Sequence, residues 1–197
     1  MNLAFNFNDE LFWINNFLPK NTYKNMYVEF IKERNKLNFK KSDVSWRTFK
    51  EEENNMSESY GQLEEKSLNK YLKTYNTLLL QQPFVNFLKF QLNSHLRIYK
   101  YNQHLGWHSD NNEGRVYAAT FYFNKTWGES WGGELMFKSS KGSGFIPVVG
   151  NSLIIIKSGL LHKVNANLKK THPRFSIQTW VDDYERRNDG KYNRQGR

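Results

Sequence analysis

The chain has 197 residues, 38% of them hydrophobic and 24% charged, with a formal net charge of +10 and no cysteine. This composition suits one globular domain with a substantial core, and it excludes a disulfide framework and a thiolate metal site. Apolar runs such as Leu78–Leu80 and Leu153–Ile156 are far too short to span a bilayer, and Met1–Ala4 lacks the basic start and apolar segment of a secretory leader, so the expectation is a cytoplasmic protein without a membrane partner.

In chain order, Phe12–Ile14 predicts a short first strand, and Phe17-Leu18-Pro19 leads into a helix from about Asn21 to Glu33. Tyr23, Met26, Tyr27 and Phe30 recur there at three- and four-residue steps, which marks one buried face. Lys50 to Glu65 is polar and acidic and reads as a loop or flap. A second helix is expected over Leu68–Leu80 with Leu68, Leu72, Tyr75 and Leu79 inward, stopped or restarted by Pro83. A third, short helix is expected over Phe84–Leu92.

From about Leu96 short β-rich runs alternate with Gly, Asn and Ser. They are Leu96–Tyr101, Trp107–Asp110, Val116–Phe123, Glu134–Phe137, Phe145–Val148, Ser152–Ile156, His162–Val164 and Arg174–Val181. Eight strands suffice for a double-sheet jelly roll. The expectation is therefore a mainly β single domain over 1–183, with a helical support region (1–94) bracing a jelly-roll core (95–183) and a basic tail (184–197). The other lysines are scattered, so the charge reads as general solvation more than as a nucleic-acid footprint.

His108 and Asp110 lie two residues apart, and His162 follows much later in a separate run. In an extended strand, side chains two apart point the same way, so His108 and Asp110 would aim at one point and His162 would arrive from a distant strand. Two histidines and a carboxylate can occupy one face of a six-coordinate iron(II) and leave the remaining positions open, although zinc or copper would bind such donors at least as tightly. His95, His104 and His172 have no carboxylate at that spacing, and His104 and His172 read as surface residues.

The last run alternates between a polar face (Arg174, Ser176, Gln178, Trp180) and an apolar one (Phe175, Ile177, Thr179, Val181). A guanidinium on a pocket wall calls for an anion, and the competing reading of Arg174 is a surface salt bridge. Tyr122, on a face with Val116, Ala118 and Thr120, can donate to the same anion. Two-oxoglutarate fits this arrangement: its keto-acid end can chelate iron, its distal carboxylate can reach Arg174 with help from Tyr122 or Ser176, and one iron position remains for dioxygen.

The stretch His108-Ser-Asp-Asn-Asn-Glu-Gly-Arg115, then Phe121–Lys125, Trp127, Gly132-Gly-Glu-Leu135, Pro147-x-x-Gly150, His162-Lys-Val164 and Arg174 with Trp180 six residues on resembles the 2-oxoglutarate- and iron(II)-dependent oxygenases, in particular the hypoxia-sensing branch of the prolyl 4-hydroxylases. The resemblance implies a double-stranded β-helix. It implies Fe(II) on His108, Asp110 and His162, the co-substrate on Arg174 and Tyr122 in a cavity lined by Tyr99, and Trp180 beside the active site. Arg115, Trp127 and Trp131 would lie near the substrate entrance. It further implies 2-oxoglutarate and O2 as co-substrates, ascorbate as a stimulant, succinate and CO2 as co-products, and a monomer acting on a proline of a protein such as a ribosomal protein or an elongation factor.

Two other readings compete. An AlkB-type nucleic-acid demethylase shares the Gly106–Asp110 pattern, but that group has a second arginine where this chain has Trp180. A non-catalytic basic binding module would not need the triad together with Arg174. Neither a P-loop nor a nucleophile elbow is present in the sequence.

Overall fold

In the computed structural model the described residues are 2–33, 40–42, 58–61, 65–82, 90–112 and 114–183. They form β1 (Asn2–Phe7), β2 (Leu11–Asn15), α1 (Lys20–Glu33), β3 (Lys40–Ser42), β4 (Glu58–Gly61), α2 (Glu65–Leu80), β5 (Phe90–Tyr99), β6 (Leu105–His108), β7 (Arg115–Tyr122), β8 (Leu135–Ser139), β9 (Gly142–Ile146), β10 (Ser152–Lys157), β11 (Leu161–Val164) and β12 (Arg174–Asp183). A 3-10 turn, Glu129–Trp131, precedes β8.

Two sheets result: an eight-stranded one ordered β1-β2-β10-β7-β12-β5-β4-β3 and a four-stranded one ordered β6-β11-β8-β9. The described strand pairs are antiparallel. The two sheets make a double-stranded β-helix, with β10, β7, β12 and β5 facing the smaller sheet.

Alternation along the strands explains the layering. Phe12, Ile14, Leu96, Ile98, Phe121, Phe175 and Ile177 belong to one core cluster with Met26 and Phe30 of α1 and Tyr75 and Leu79 of α2. Both helices therefore brace the outer face of the larger sheet, as their apolar periodicity requires. Leu11, Tyr122, Ile154 and Ile156 turn the other way and pack between the sheets with Leu135, Phe137 and Ile146. β10 is buried on both faces, which is why Leu153–Ile156 reads as a continuous apolar run rather than an alternating one. Asn151, at positive φ (59°), fixes the lead-in to α1: its side chain accepts from Leu18 N at 2.9 Å and donates to Leu18 O at 3.0 Å.

All eight expected strands form, with ends shifted by a few residues. Three expectations need correction. Phe90–Leu92 begins β5 instead of ending a helix, because Leu92 packs against the helix-side core while Gln91 is exposed, a two-residue alternation. Residues 84–89, and Pro83, lie outside the described residues. Within the expected 50–65 loop, Glu58–Gly61 is a strand paired with β5, and Glu65 starts α2; residues 50–57 and 62–64 lie outside the described residues. The expected Phe12–Ile14 strand forms as β2 and joins the larger sheet through β10, but it is not the first: β1 precedes it and pairs with it. The tail from residue 184 lies outside the described residues, as does the side chain of Leu68.

Candidate active site

β6 and β11 are neighbours, and their register sets His108 opposite His162 with ring centroids 4.1 Å apart. Each ring is held the same way: Nδ1 lies 2.8 Å from the carbonyl oxygen two residues earlier, Gly106 O for His108 and Leu160 O for His162. A carbonyl can only accept, so each Nδ1 donates its proton and each Nε2 keeps a lone pair, the usual state of a metal-binding imidazole.

Asp110 arrives by a different route from the one its spacing suggests. β6 ends at His108, and Asp110 adopts positive φ (49°), a conformation Asp tolerates better than most residues. The turn is fixed by Gly159 N donating to Ser109 O at 3.0 Å and Asn112 N donating to Asp110 O at 2.9 Å. The convergence is thus made by a left-handed turn and not by strand pleat. One ligand atom from each of His108, Asp110 and His162 lies within 4.8 Å of the others, the one such group of three among the described residues.

Burial chiefly pushes the His108 pKa down to about 4, helped by His162 and Arg97 and opposed by Asp110 and the Gly106 carbonyl. For Asp110 burial acts upward, but the His162 ring, its Nε2 3.5 Å from Oδ2, and the fields of His108 and Arg115 hold the carboxyl well below its usual range. The three side chains therefore present two imidazole Nε2 atoms and one carboxylate, the donor set of a non-haem iron site.

Arg174 begins β12, is 1% exposed, and sits between two phenol rings, 4.4 Å from the Tyr99 centroid and 5.0 Å from that of Tyr122. Its Nε and Nη1, the Tyr122 hydroxyl and the Ser176 hydroxyl are buried without a hydrogen-bond partner. Register explains the grouping, since Ser176 pairs with Tyr122 and Arg174 with Tyr99. Burial raises the Tyr122 pKa, with Arg174 acting against it and Glu134 with it, so the phenol is a proton donor at neutral pH. Two hydroxyls beside one buried guanidinium form a cradle for a carboxylate. Gly133, at positive φ (78°), closes its floor: an added Cβ would come within 3.1 Å of Arg174 Cδ and 3.3 Å of the Trp127 ring.

Arg115, Trp127 and Trp131, expected near the substrate entrance, and Trp180, expected beside the active site, divide into two groups. Arg115 and Trp180 are at the Asp110 end: Arg115 Nη1 is 3.9 Å from Asp110 Oδ1, its Nε donates to Asp182 at 3.2 Å, and its guanidinium lies 4.7 Å from the Trp180 ring centroid. Trp127 and Trp131 are at the Arg174 end, where Trp127 Nε1 donates to Gly132 O at 2.8 Å and the Trp131 ring lies tilted against His172 at 4.7 Å. Trp127 borders the Arg174 cradle across Gly133 and Trp131 packs edge-on against Trp127; the sequence offered no means of separating the two pairs. Sequence reasoning also passed over Arg97, which pairs in register with Ser176, is buried on the same inner face, and lies 5.1 Å from the Trp180 ring. The signal was its place two residues before Tyr99. His172 is exposed as expected, while His104 is half-buried.

Residues 94–182, which contain the triad, Arg174 and Trp180, match the family model of the 2OG-Fe(II) oxygenase superfamily. This segment belongs to that superfamily. The protein is accordingly a 2-oxoglutarate-dependent dioxygenase that uses Fe(II), 2-oxoglutarate and O2. Among solved structures, the oxygenase is similar to a prolyl-4-hydroxylase from Pseudomonas putida (17% identity, 88% of this chain and 92% of that one, TM-score 0.67). It is also similar to a prolyl hydroxylase from Trichoplax adhaerens in complex with a hypoxia inducible factor peptide fragment (17% identity, 93% and 88%, TM-score 0.75). A third similar structure is the α-ketoglutarate-dependent epimerase SnoN from nogalamycin biosynthesis (10% identity, 88% and 78%, TM-score 0.64). At these identities the likeness shows the fold. No curated protein matches the oxygenase in sequence. No helix among the described residues is long and apolar enough to cross a membrane.

Proposed function

We propose that the oxygenase hydroxylates a prolyl residue of a protein, with His108, Asp110 and His162 holding Fe(II) and with Arg174, Tyr122 and Ser176 holding the distal carboxylate of 2-oxoglutarate. The observation that carries this reading is the pairing of a three-ligand cluster with a buried guanidinium whose Nε and Nη1 lack protein partners. When bound, iron, 2-oxoglutarate and O2 would supply the oxidation, in which one oxygen atom of O2 enters succinate as the co-substrate loses CO2 and the other enters a substrate C–H bond as a hydroxyl. The chain's own residues do the positioning. His108 and His162 keep fixed tautomers through Gly106 and Leu160, Arg115 steadies Asp110, and the Tyr99 and Tyr122 rings keep water from the Arg174 cation.

The prolyl assignment draws support from the neighbouring folds, two of them prolyl hydroxylases and one holding a peptide. Arg115 and Trp180, beside Asp110, are the residues here assigned to the substrate; Trp127 and Trp131 are assigned to the co-substrate end. The test is incubation of a host-cell lysate with the protein, Fe(II) and 2-oxoglutarate, followed by peptide mass spectrometry. The expected result is a gain of one oxygen on proline in a small set of proteins. A gain confined to another residue type would replace the prolyl reading and keep the oxygenase. His108→Ala and Asp110→Ala are each expected to abolish succinate formation, and turnover retained in both would reject the ligand assignment.

A further inference from the structure

The four strands of the smaller sheet contain no aspartate or glutamate. Their inward side chains supply the two histidines and the inner core, and their outward side chains form a separate surface on the back of the site. Cross-strand register lines up Lys163, Met136 and Phe145 in one row and Leu161, Lys138 and Ser143 in the next. Trp107, on β6 beside β11, extends the first row. Both lysines converge on its ring, with the Lys138 Nζ 4.2 Å and the Lys163 Nζ 5.1 Å from the centroid. At the far end Phe145 is 62% exposed.

Two ammonium groups are thus gathered on one indole, on strands with no carboxylate to offset them. The ring quadrupole relieves only part of the repulsion between them, and an anion would relieve the rest. The basic character continues past Lys138 into a cavity of about 290 Å³ lined also by Lys157, Ser139, Ser140 and Ser158, with Glu10 as its one carboxylate. Charge fixes the sign of the occupant and the aromatics fix its kind. An acidic peptide would meet the lysines and leave Trp107 and Phe145 unused. A single-stranded nucleic acid uses both, because phosphates pair with the lysines gathered at Trp107 while a base lies on the exposed Phe145 ring. Strands about 4.8 Å apart separate Trp107 from Phe145 by about 14 Å, a distance that several nucleotides span.

We propose that the outer face of the smaller sheet, built from Trp107, Lys163, Lys138 and Phe145, is a docking surface for single-stranded nucleic acid. It lies on the side of β6 and β11 away from the metal ligands, so it serves to hold the enzyme and does not depend on the substrate proposed above.

The test uses the full-length chain and a fluorescently labelled, mixed-sequence 12-nucleotide single-stranded RNA, read by anisotropy at two salt concentrations, with an Asp/Glu peptide of equal length as competitor. Binding is expected to weaken with salt, the logarithmic slope being about −0.7 for each phosphate neutralised. The pair Lys138→Glu/Lys163→Glu is expected to weaken binding at least about tenfold, and Phe145→Ala to weaken it severalfold without changing the slope. Lys138→Gln, a milder change on an exposed position, should act in the same direction by a smaller margin, which covers the case of a misfolded double variant. The control pair Lys169→Glu/Lys170→Glu, outside this face, should change affinity less than about threefold. The proposal is overturned if the face variants bind RNA as tightly as the parent, which would assign binding to other cations such as Arg186–Arg197. It is equally overturned if the control pair loses as much affinity as the face pair, or if the acidic peptide competes as well as unlabelled RNA.

Discussion

Arg174 is a charged group 1% exposed, and it is costly until an anion joins it. That cost gives a sharp expectation. Arg174→Met keeps most of the volume and removes the cation, so the ligand-free protein should melt within a degree or two of the parent, or above it. The same change should raise the 2-oxoglutarate KM at least about tenfold, the scale of a lost charge-assisted hydrogen-bond pair. Steady-state succinate assays with kcat and KM resolved check this; an unchanged KM would move the carboxylate anchor elsewhere. His108 carries a second expectation. Its folded pKa is near 4, against about 6.5 in an unfolded chain, so between those values the unfolded state binds a proton that the native state refuses. Metal-free stability should therefore fall as pH drops from about 6.5 to about 4, by on the order of 3 kcal/mol, and this contribution should level off below that window. Denaturation of the metal-free protein across that range, compared with His108→Gln, measures it. An equal pH slope in both proteins would remove His108 as its source.

At the scale of elements, the helices stabilise the sheet that carries Arg174. Phe30 of α1 is fully buried and meets Phe123 and Phe175 edge-on at 4.7 Å each, and Phe175 is the residue after Arg174. Phe30→Ala should cost about 3–5 kcal/mol by urea unfolding, while Val28→Ala, on the exposed face of the same helix, should stay within about 0.5 kcal/mol. Equal losses would mean that α1 does not brace the sheet. The same elements show what the sequence made legible. Period-3.6 spacing of Met26 and Phe30 and period-2 alternation from Arg174 to Val181 report which side chains share a face, so the faces of α1 and β12 could be read although both faces of β12 are buried. Phe90–Leu92 could not, because three residues do not distinguish a strand start from a helix end. Asp110 converged on the histidines for a reason alternation does not encode, a left-handed turn whose partners, Gly159 and Asn112, are set by the closed fold. Likewise no local pattern separates Trp127 from Trp180; the fold does, setting Trp180 along β12 beside Arg115 and the Trp127 ring against Gly133.

For the whole molecule, the two sheets are held apart by a polar centre as well as by core. On one side of Tyr122 lies the Arg174 cradle, and the triad sits where β6 and β11 approach β7 and β12. Ligands that fill this centre bind the folded chain and not the unfolded one, so they must raise its melting temperature. At a hundredfold excess over Kd one ligand contributes about 2.7 kcal/mol, and for a chain of this length each kcal/mol is worth roughly 2–4 °C. Manganese(II), a redox-inert stand-in for iron(II), should thus raise the melting point by roughly 5–10 °C at that excess, and 2-oxoglutarate added with it should raise it further. The variants separate the contributions. Asp110→Ala should lose the metal shift and most of the co-substrate shift, while Arg174→Met should keep the metal shift and lose the second. A metal shift that survives Asp110→Ala, or a co-substrate shift that survives Arg174→Met, would show that the polar centre between the sheets is not where these ligands bind.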